Sequence, residues 1–181
     1  MNRHAPLLIG LLAAALVLPG CSTAPKSAAK KADLHADVLT AISTFKGADP
    51  SMQEFFDNAV GYAVFPSVGK GGIGIGGAYG KGELYEGGEV VGYCDLTQGT
   101  IGFQLGGQVY SEIVFFETPA TLAEFKTGNV EFSAQASAVA ATAGAAAKAD
   151  YDHGVAVFIH SRGGLMYEAS IGGQGFSYVP K

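Results

Sequence analysis

Tryptophan is absent from the 181 residues, cysteine occurs only twice, and charged residues make up just 15% of the chain. No basic block of any length stands against the formal net charge of −5. That excludes a dedicated nucleic-acid binder, whose footprint is a basic face. Charge this low beside 48% hydrophobic residues excludes a disordered chain. No Cys/His spacing fits zinc, and no G-x-S-x-G elbow is present for serine hydrolysis. What the chain has in excess is glycine, 27 residues without a G-X-Y period, so collagen is excluded too. The length fits one domain with a short appendage.

The first residues read as an address. Met1-Asn2-Arg3-His4 is a short basic start, and Leu7 to Leu18 is an apolar run. A run of about 12 residues is too short to span a bilayer as a helix, which takes about 20. Basic start, short apolar core and small residues at its exit describe a secretory signal over residues 1–20. The exit Leu18-Pro19-Gly20-Cys21 is similar to a bacterial lipobox, which makes Cys21 the expected lipidation site. By resemblance to Gram-negative lipoproteins, Ser22 rather than Asp after that Cys implies the outer membrane, periplasmic side. Residues 21–32 are expected to form a flexible tether, with Lys26, Lys30 and Lys31 able to rest on anionic headgroups. Cys94, in the apolar setting Val90-Val91-Gly92-Tyr93-Cys94, reads as a buried small hydrophobe and not as a nucleophile.

The domain occupies residues 33–181. Leu34, Val38, Ile42 and Phe45 recur at helical spacing and predict a helix over 33–46 stopped by Gly47. Ser51-Met52-Gln53-Glu54 has the form of a capping box and predicts a short helix at about 51–59. Tyr62 to Pro66 reads as a strand stopped by proline. Ten of the twenty residues from Gly69 to Gly88 are glycine, which excludes helix there. Tyr85 to Glu89 predicts a hairpin turn, and Thr97 to Thr100 a second turn. Ile101 to Glu117 reads as a strand pair or one strand bent at Gly106-Gly107. Thr118-Pro119 predicts an inserted helix with Leu122 and Phe125 buried and Gly128 closing it. Phe132 to Ala147 is helical by alanine content, yet it alternates; strand is expected for 130–140, and irregular structure across Gly144. Val155 to His160, Leu165 to Ile171 and Phe176 to Val179 are further strands.

An apolar residue, a glycine pair and a nearby aromatic recur at Ile75-Gly76-Gly77-Ala78-Tyr79, Leu105 to Tyr110 and Ile171 to Phe176. Repeated glycines within strands permit bends and close backbone approach. The expected fold is α+β: a strongly curved antiparallel sheet or half-barrel of Gly-rich strands, with N-terminal helices and one short inserted helix.

No chemistry-bearing motif survives its context. Gly72 to Gly77 spells G-x-G-x-x-G, but no helix can follow it to meet a pyrophosphate. Gly69-Lys70 lacks the Ser or Thr of a P-loop. His153 and His160 flank a strand, and His35 lies far away on the first helix. Asp150 and Asp152 offer too few oxygens for calcium. The chain is therefore expected to be non-enzymatic, without cofactor or metal.

Ala63-Val64-Phe65-Pro66 with the glycine-rich run 69–82 resembles the start of the SYLF domain. Gly102 to Gln108, Glu112 to Phe116, Thr121 to Phe125 and His160 to Leu165 extend the resemblance in order, over about 35–179. Eukaryotic SYLF proteins bind phosphoinositide membranes, and some bind actin; bacterial members are mostly lipoproteins of unsettled function. The resemblance thus implies a membrane-anchored envelope lipoprotein whose domain binds lipid or membrane surfaces. The alternative is a structural or protein-interaction lipoprotein without a lipid ligand. The family's central Gly-Pro-x-Gly-Arg stretch is replaced by Ala143-Gly144-Ala145-Ala146-Ala147. Headgroup specificity therefore does not carry over, and actin is no natural partner in a bacterial envelope. Candidate anionic-lipid contacts are Lys70, Lys81 and Arg162, each in or beside what reads as a glycine-rich turn with open backbone N–H groups. Unless the three turns converge, they are solvated loop charges.

Overall fold

The computed structural model describes residues 23–102, 107–128, 131–132, 138–140, 142–161 and 173–181. Helix α1 (Ala28–Ala48) leads through a 3-10 turn (Pro50–Met52) into α2 (Gln53–Asn58). Three long strands follow, β1 (Gly61–Glu86), β2 (Glu89–Gly102) and β3 (Gly107–Phe116), then α3 (Pro119–Lys126). Two short strands, β4 (Glu131–Phe132) and β5 (Ala138–Ala140), precede a second 3-10 turn (Ala146–Lys148). Strands β6 (Val155–Ser161) and β7 (Gln174–Pro180) complete the described elements. They form one sheet in the order β4-β7-β2-β1-β3-β6-β5. All neighbours are antiparallel except β5, which runs parallel to β6. The α+β class and the open, curled sheet are as the glycine pattern implied.

The curl is built into β1. Its first half, Gly61 to Gly71, pairs with β3, and its second half, Gly74 to Glu86, pairs with β2. The two halves then lie across one another, backbone on backbone. A Cβ at Gly80 would meet Val68 Cγ2 at 2.8 Å and the Ser67 carbonyl at 3.1 Å. At Gly82 it would run into the Val64 carbonyl oxygen, and at Gly61 it would lie 2.7 Å from the Tyr85 carbonyl. Only glycine lets strands come this close.

Alternation then sorts the side chains onto two faces. Phe65, Leu84, Leu96, Val114, Phe116, Val157 and Phe176 fill the inside of the curl, where Leu122 and Phe125 of α3 plug it. Val64, Tyr85, Ile113, Phe115 and Phe158 face the other way and are covered by Val38, Ala41, Phe45, Met52 and Phe55. Burying one such large apolar side chain contributes roughly 1.5–3 kcal/mol.

Several local expectations hold. Gly87 and Gly88 make the hairpin turn with φ of +60° and +83°, the two-residue form that suits antiparallel strands. Thr118 caps α3 by accepting from the Thr121 N–H at 3.2 Å, Pro119 opens it, and Gly128 follows with φ +72°.

Others are corrected. α1 begins at Ala28, so residues 28–32 are helix rather than tether; Ser27 caps it by accepting from the Lys30 N–H at 3.2 Å. Pro66 does not end a strand: β1 passes through it by a register shift between Phe65 and Val68, a bulge that absorbs the missing N–H. There the Pro66 carbonyl accepts the Ser111 hydroxyl at 2.7 Å. No turn interrupts Thr97 to Thr100, because β2 runs on unbroken and keeps its pairing with β1. Asp49, not Ser51, caps the turn before α2. The expected 130–140 strand is represented by β4 and β5; residues 133–137, Gly106 and the expected strand 165–171 lie outside the described residues.

Candidate functional site

Cys21 and Arg162 lie outside the described residues. Lys70 and Lys81 are described, and both sit within β1 and not in turns. Lys70, half-buried, is opposite Gln108 of β3. Lys81 is held: its ammonium lies 3.0 Å from Asp95 Oδ1 and donates to the Thr23 carbonyl at 3.1 Å. Burial works against its charge, but the contacts to Tyr79 and Asp95 outweigh that and raise its pKa. Lys81 is thus the centre of a small network and not a bare loop cation.

That network borders a cavity of about 520 Å³ between the start of α1 and β1. Lys26, Lys30, Leu34, Tyr79 and Lys81 line it, with Asp33 and Asp37 also on its wall. Tyr79 is one of the few exposed large apolar side chains. The chain entering the cavity wall is pinned to the sheet, since Thr23 Oγ1 lies 3.2 Å from Ser177 Oγ. α1 is fixed above it by Lys31, whose ammonium stands 4.9 Å from the Tyr93 ring centroid, a cation–π contact. His35 Nδ1 lies 2.9 Å from Glu83 Oε2, which also accepts the Tyr85 hydroxyl at 3.1 Å. Burial, then the Glu83 charge, holds the Tyr85 hydroxyl well above its usual pKa. The site therefore offers three ammonium groups and an apolar wall on a rigid frame. Among the described residues that line it there is no Cys, Ser or His.

Four buried carboxylates escaped the sequence reading, Asp95 beside Lys81 being one of them. Asp49 is a knot: it accepts the Ser51 hydroxyl at 2.6 Å, the Ser51 N–H at 3.1 Å, the Gly144 N–H at 3.1 Å and the Ala146 N–H at 2.7 Å. Burial alone would raise its pKa, but these bonds outweigh it and hold the carboxyl at about 2. Glu83 is the partner of His35. Glu112 is fully buried inside the curl, where burial pushes it up to about 8 although the Gln174 amide donates to it at 3.0 Å. Only Asp49 carried a local signal, the Asp-Pro-Ser start of a turn. Glu83 takes Tyr85 from its own strand but His35 from α1, and Glu112 takes Gln174 from β7.

The remaining reactive groups are structural where described. Cys94 is fully buried, and burial, then Asp95 and Glu83, push its thiol well up. His160 stands edge-on to Phe45 with ring centroids 5.9 Å apart. His153 sits at φ +51° against Asp152, 2.6 Å away. Among the described residues no three His, Cys, Asp or Glu side chains gather as a metal site, and no helix is long and apolar enough to cross a membrane.

Residues 97–178 match the model of the Ysc84 family, described as Las17-binding protein actin regulator. The matched stretch runs from β2 to β7 and takes in the inserted helix. The chain is also 28% identical over 160 residues to Beta cell expansion factor A of Aeromonas veronii, covering 82% of this chain and 58% of that protein. The chain thus spans little more than half the length of this relative.

Proposed function

From a chain that is a SYLF-domain protein by its match to the Ysc84 family and its bacterial relative, we propose an envelope lipoprotein anchored through Cys21 whose domain binds anionic lipid surfaces. At the level of the family the domain is non-catalytic and related to lipid and actin binding. The finer reading rests on one observation: the cavity lined by Lys26, Lys30, Lys81, Leu34 and Tyr79 has Pro25, four residues after Cys21 in sequence, on its wall. Three cations answer a phosphate by charge-assisted contacts, while Leu34 and Tyr79 offer apolar surface to the first carbons of an acyl chain. Anchoring and binding then reinforce one another, because a lipidated Cys21 holds the cavity beside the bilayer at high effective concentration. Outer-membrane attachment on the periplasmic side is part of this proposal.

Flotation separates the anchor from the domain. The full chain carrying Cys21→Ser, with its signal removed, is mixed with vesicles of phosphatidylglycerol or of phosphatidylcholine. The expected result is flotation with the anionic vesicles only, weakened by salt and several-fold by Lys26→Ala with Lys30→Ala. Absence of flotation with either vesicle overturns the lipid reading. A single dominant protein partner in envelope cross-linking would then favour an interaction lipoprotein.

A further inference from the structure

On the opposite flank of α1 from its start, α2 and the second 3-10 turn enclose a cleft of about 340 Å³. Its wall carries the carboxylates of Glu54 and Asp150, the amide of Asn58 and the rings of Phe55 and Tyr151. We propose that this cleft binds a small alkylammonium group of the choline or ethanolamine kind.

Four observations carry the assignment. First, the charge is one-sided: no Lys, Arg or His lines the cleft, and neither Glu54 nor Asp150 has an ion-pair partner among the described residues. Lys148 lies between two lining alanines in sequence but is exposed and not part of the wall. Second, two of the lining side chains are aromatic. Phe55 and Tyr151 lie with ring centroids 5.3 Å apart, and Phe55 packs edge-on to Phe158 at 4.9 Å. Ring faces attract cations and accept methyl groups. Third, the Tyr151 hydroxyl oxygen is buried and has no hydrogen-bond partner among the described residues. Burial and the Glu117 charge push that hydroxyl up to about 12, so it keeps its proton. Asn58 Nδ2 is committed to the Glu54 carbonyl at 2.9 Å, which leaves its side-chain oxygen as a further acceptor.

The fourth observation is rigidity. Asp49 fastens Gly144 and Ala146 to the head of α2, and the Ser51 hydroxyl accepts the Ala147 N–H at 3.0 Å. Both walls are thereby fixed before any ligand arrives, which removes an ordering cost from binding. The volume lies at the small end of the roughly 300–1,000 Å³ of ligand pockets, which suits a headgroup and excludes a bulky ligand. Two carboxylates and two aromatic rings lining one cleft select a cation with an apolar shell over a bare hydrated metal ion, because the rings contribute nothing to a tightly hydrated one. This site shares no residue with the lysine-lined cavity, so the two readings stand or fall separately.

The test is an NMR titration of the isotope-labelled full chain, held in a detergent without an ammonium headgroup. Choline and ethanolamine are titrated against sodium chloride at matched ionic strength. Saturable shifts around Phe55 and Tyr151 with the amines alone are expected. Glu54→Gln with Asp150→Asn should weaken them at least tenfold, and Tyr151→Phe, which keeps the ring, only a few-fold. All substituted groups except the Tyr151 ring are exposed, so an unchanged thermal melt checks that the variants fold. Response to phosphatidylethanolamine vesicles but not to free amines would assign the group to a lipid headgroup, still through these carboxylates. No saturable response to amine or vesicle, or an equal response in the double variant, overturns the proposal.

Discussion

Gly82→Ala tests whether the two halves of β1 truly touch. The added methyl would run into the Val64 carbonyl oxygen and stand 2.8 Å from the Phe65 ring. The first obstacle is backbone, so no rotamer change relieves it. Ordinary contact needs about 3.5–4.0 Å between carbon atoms, so the crossing halves would have to part by roughly 1 Å. That disturbs Phe65, which touches Phe176 inside the curl at 5.6 Å between centroids. Overpacking of this kind costs about 1–3 kcal/mol, occasionally more. In a chain of this size each kcal/mol moves the midpoint by about 2–4 °C, so the melting temperature should fall by roughly 2–12 °C. Gly69→Ala is the matched control on the same strand. Nothing lies within 4 Å of its Cβ, and lost freedom in the unfolded chain should leave it unchanged or stabilised by about 0.4–1 kcal/mol. Both are read by thermal circular dichroism. Equal melting of the two variants would refute the backbone-on-backbone crossing.

Glu112→Gln should change how stability depends on pH. Burial raises the folded-state pKa from 4.5 to about 8, so between those values the unfolded chain gives up a proton that the folded chain keeps. Stability then falls as pH rises through that window, by at most about 1.4 kcal/mol per pH unit, and levels off above about 8. The Gln variant should lose that slope; melting curves that stay parallel to wild type across the window would contradict it. Asp49 works in the opposite sense. Its folded pKa is depressed from 3.8 to about 2, so its contribution is complete above 3.8 and lost as pH falls through about 2. Asp49→Ala strands the N–H groups of Ser51, Gly144 and Ala146 and should cost about 3 kcal/mol by urea unfolding; a loss under about 0.5 kcal/mol would show that the knot is not structural.

What could be read from sequence was what local chemistry decides. Thr118-Pro119, Leu122, Phe125 and Gly128 state the start, face and end of α3 within a dozen residues. Gly87-Gly88 states the hairpin in the same way. Pro66 misled because the cost of a missing N–H depends on the partner strand, where a bulge absorbs it. Thr97 to Thr100 misled because turn-like residues stay extended when neighbouring strands supply their pairing, β1 along the whole stretch and β7 beside Thr97 and Gln98. Lys81 reads from sequence as a loop cation because its partner Asp95 sits across the β1–β2 pairing, and no spacing rule reveals an ion pair that register creates. The same holds for Asp49, whose donors Gly144 and Ala146 are reached only once the sheet is assembled, and for the cleft that this knot holds open.

A single 26-residue strand that belongs to both sides of the curl also dictates how the molecule comes apart. In a sandwich of two separate sheets, one sheet can loosen while the other persists. Here any sliding of β1 against β3 is delivered along the same backbone to β2, and any opening of the crossing at Gly61, Gly80 and Gly82 uncovers the interior on both sides at once. The β1–β2–β3 unit therefore has no natural fault line, and amide exchange within it should report one common opening event and not a graded series.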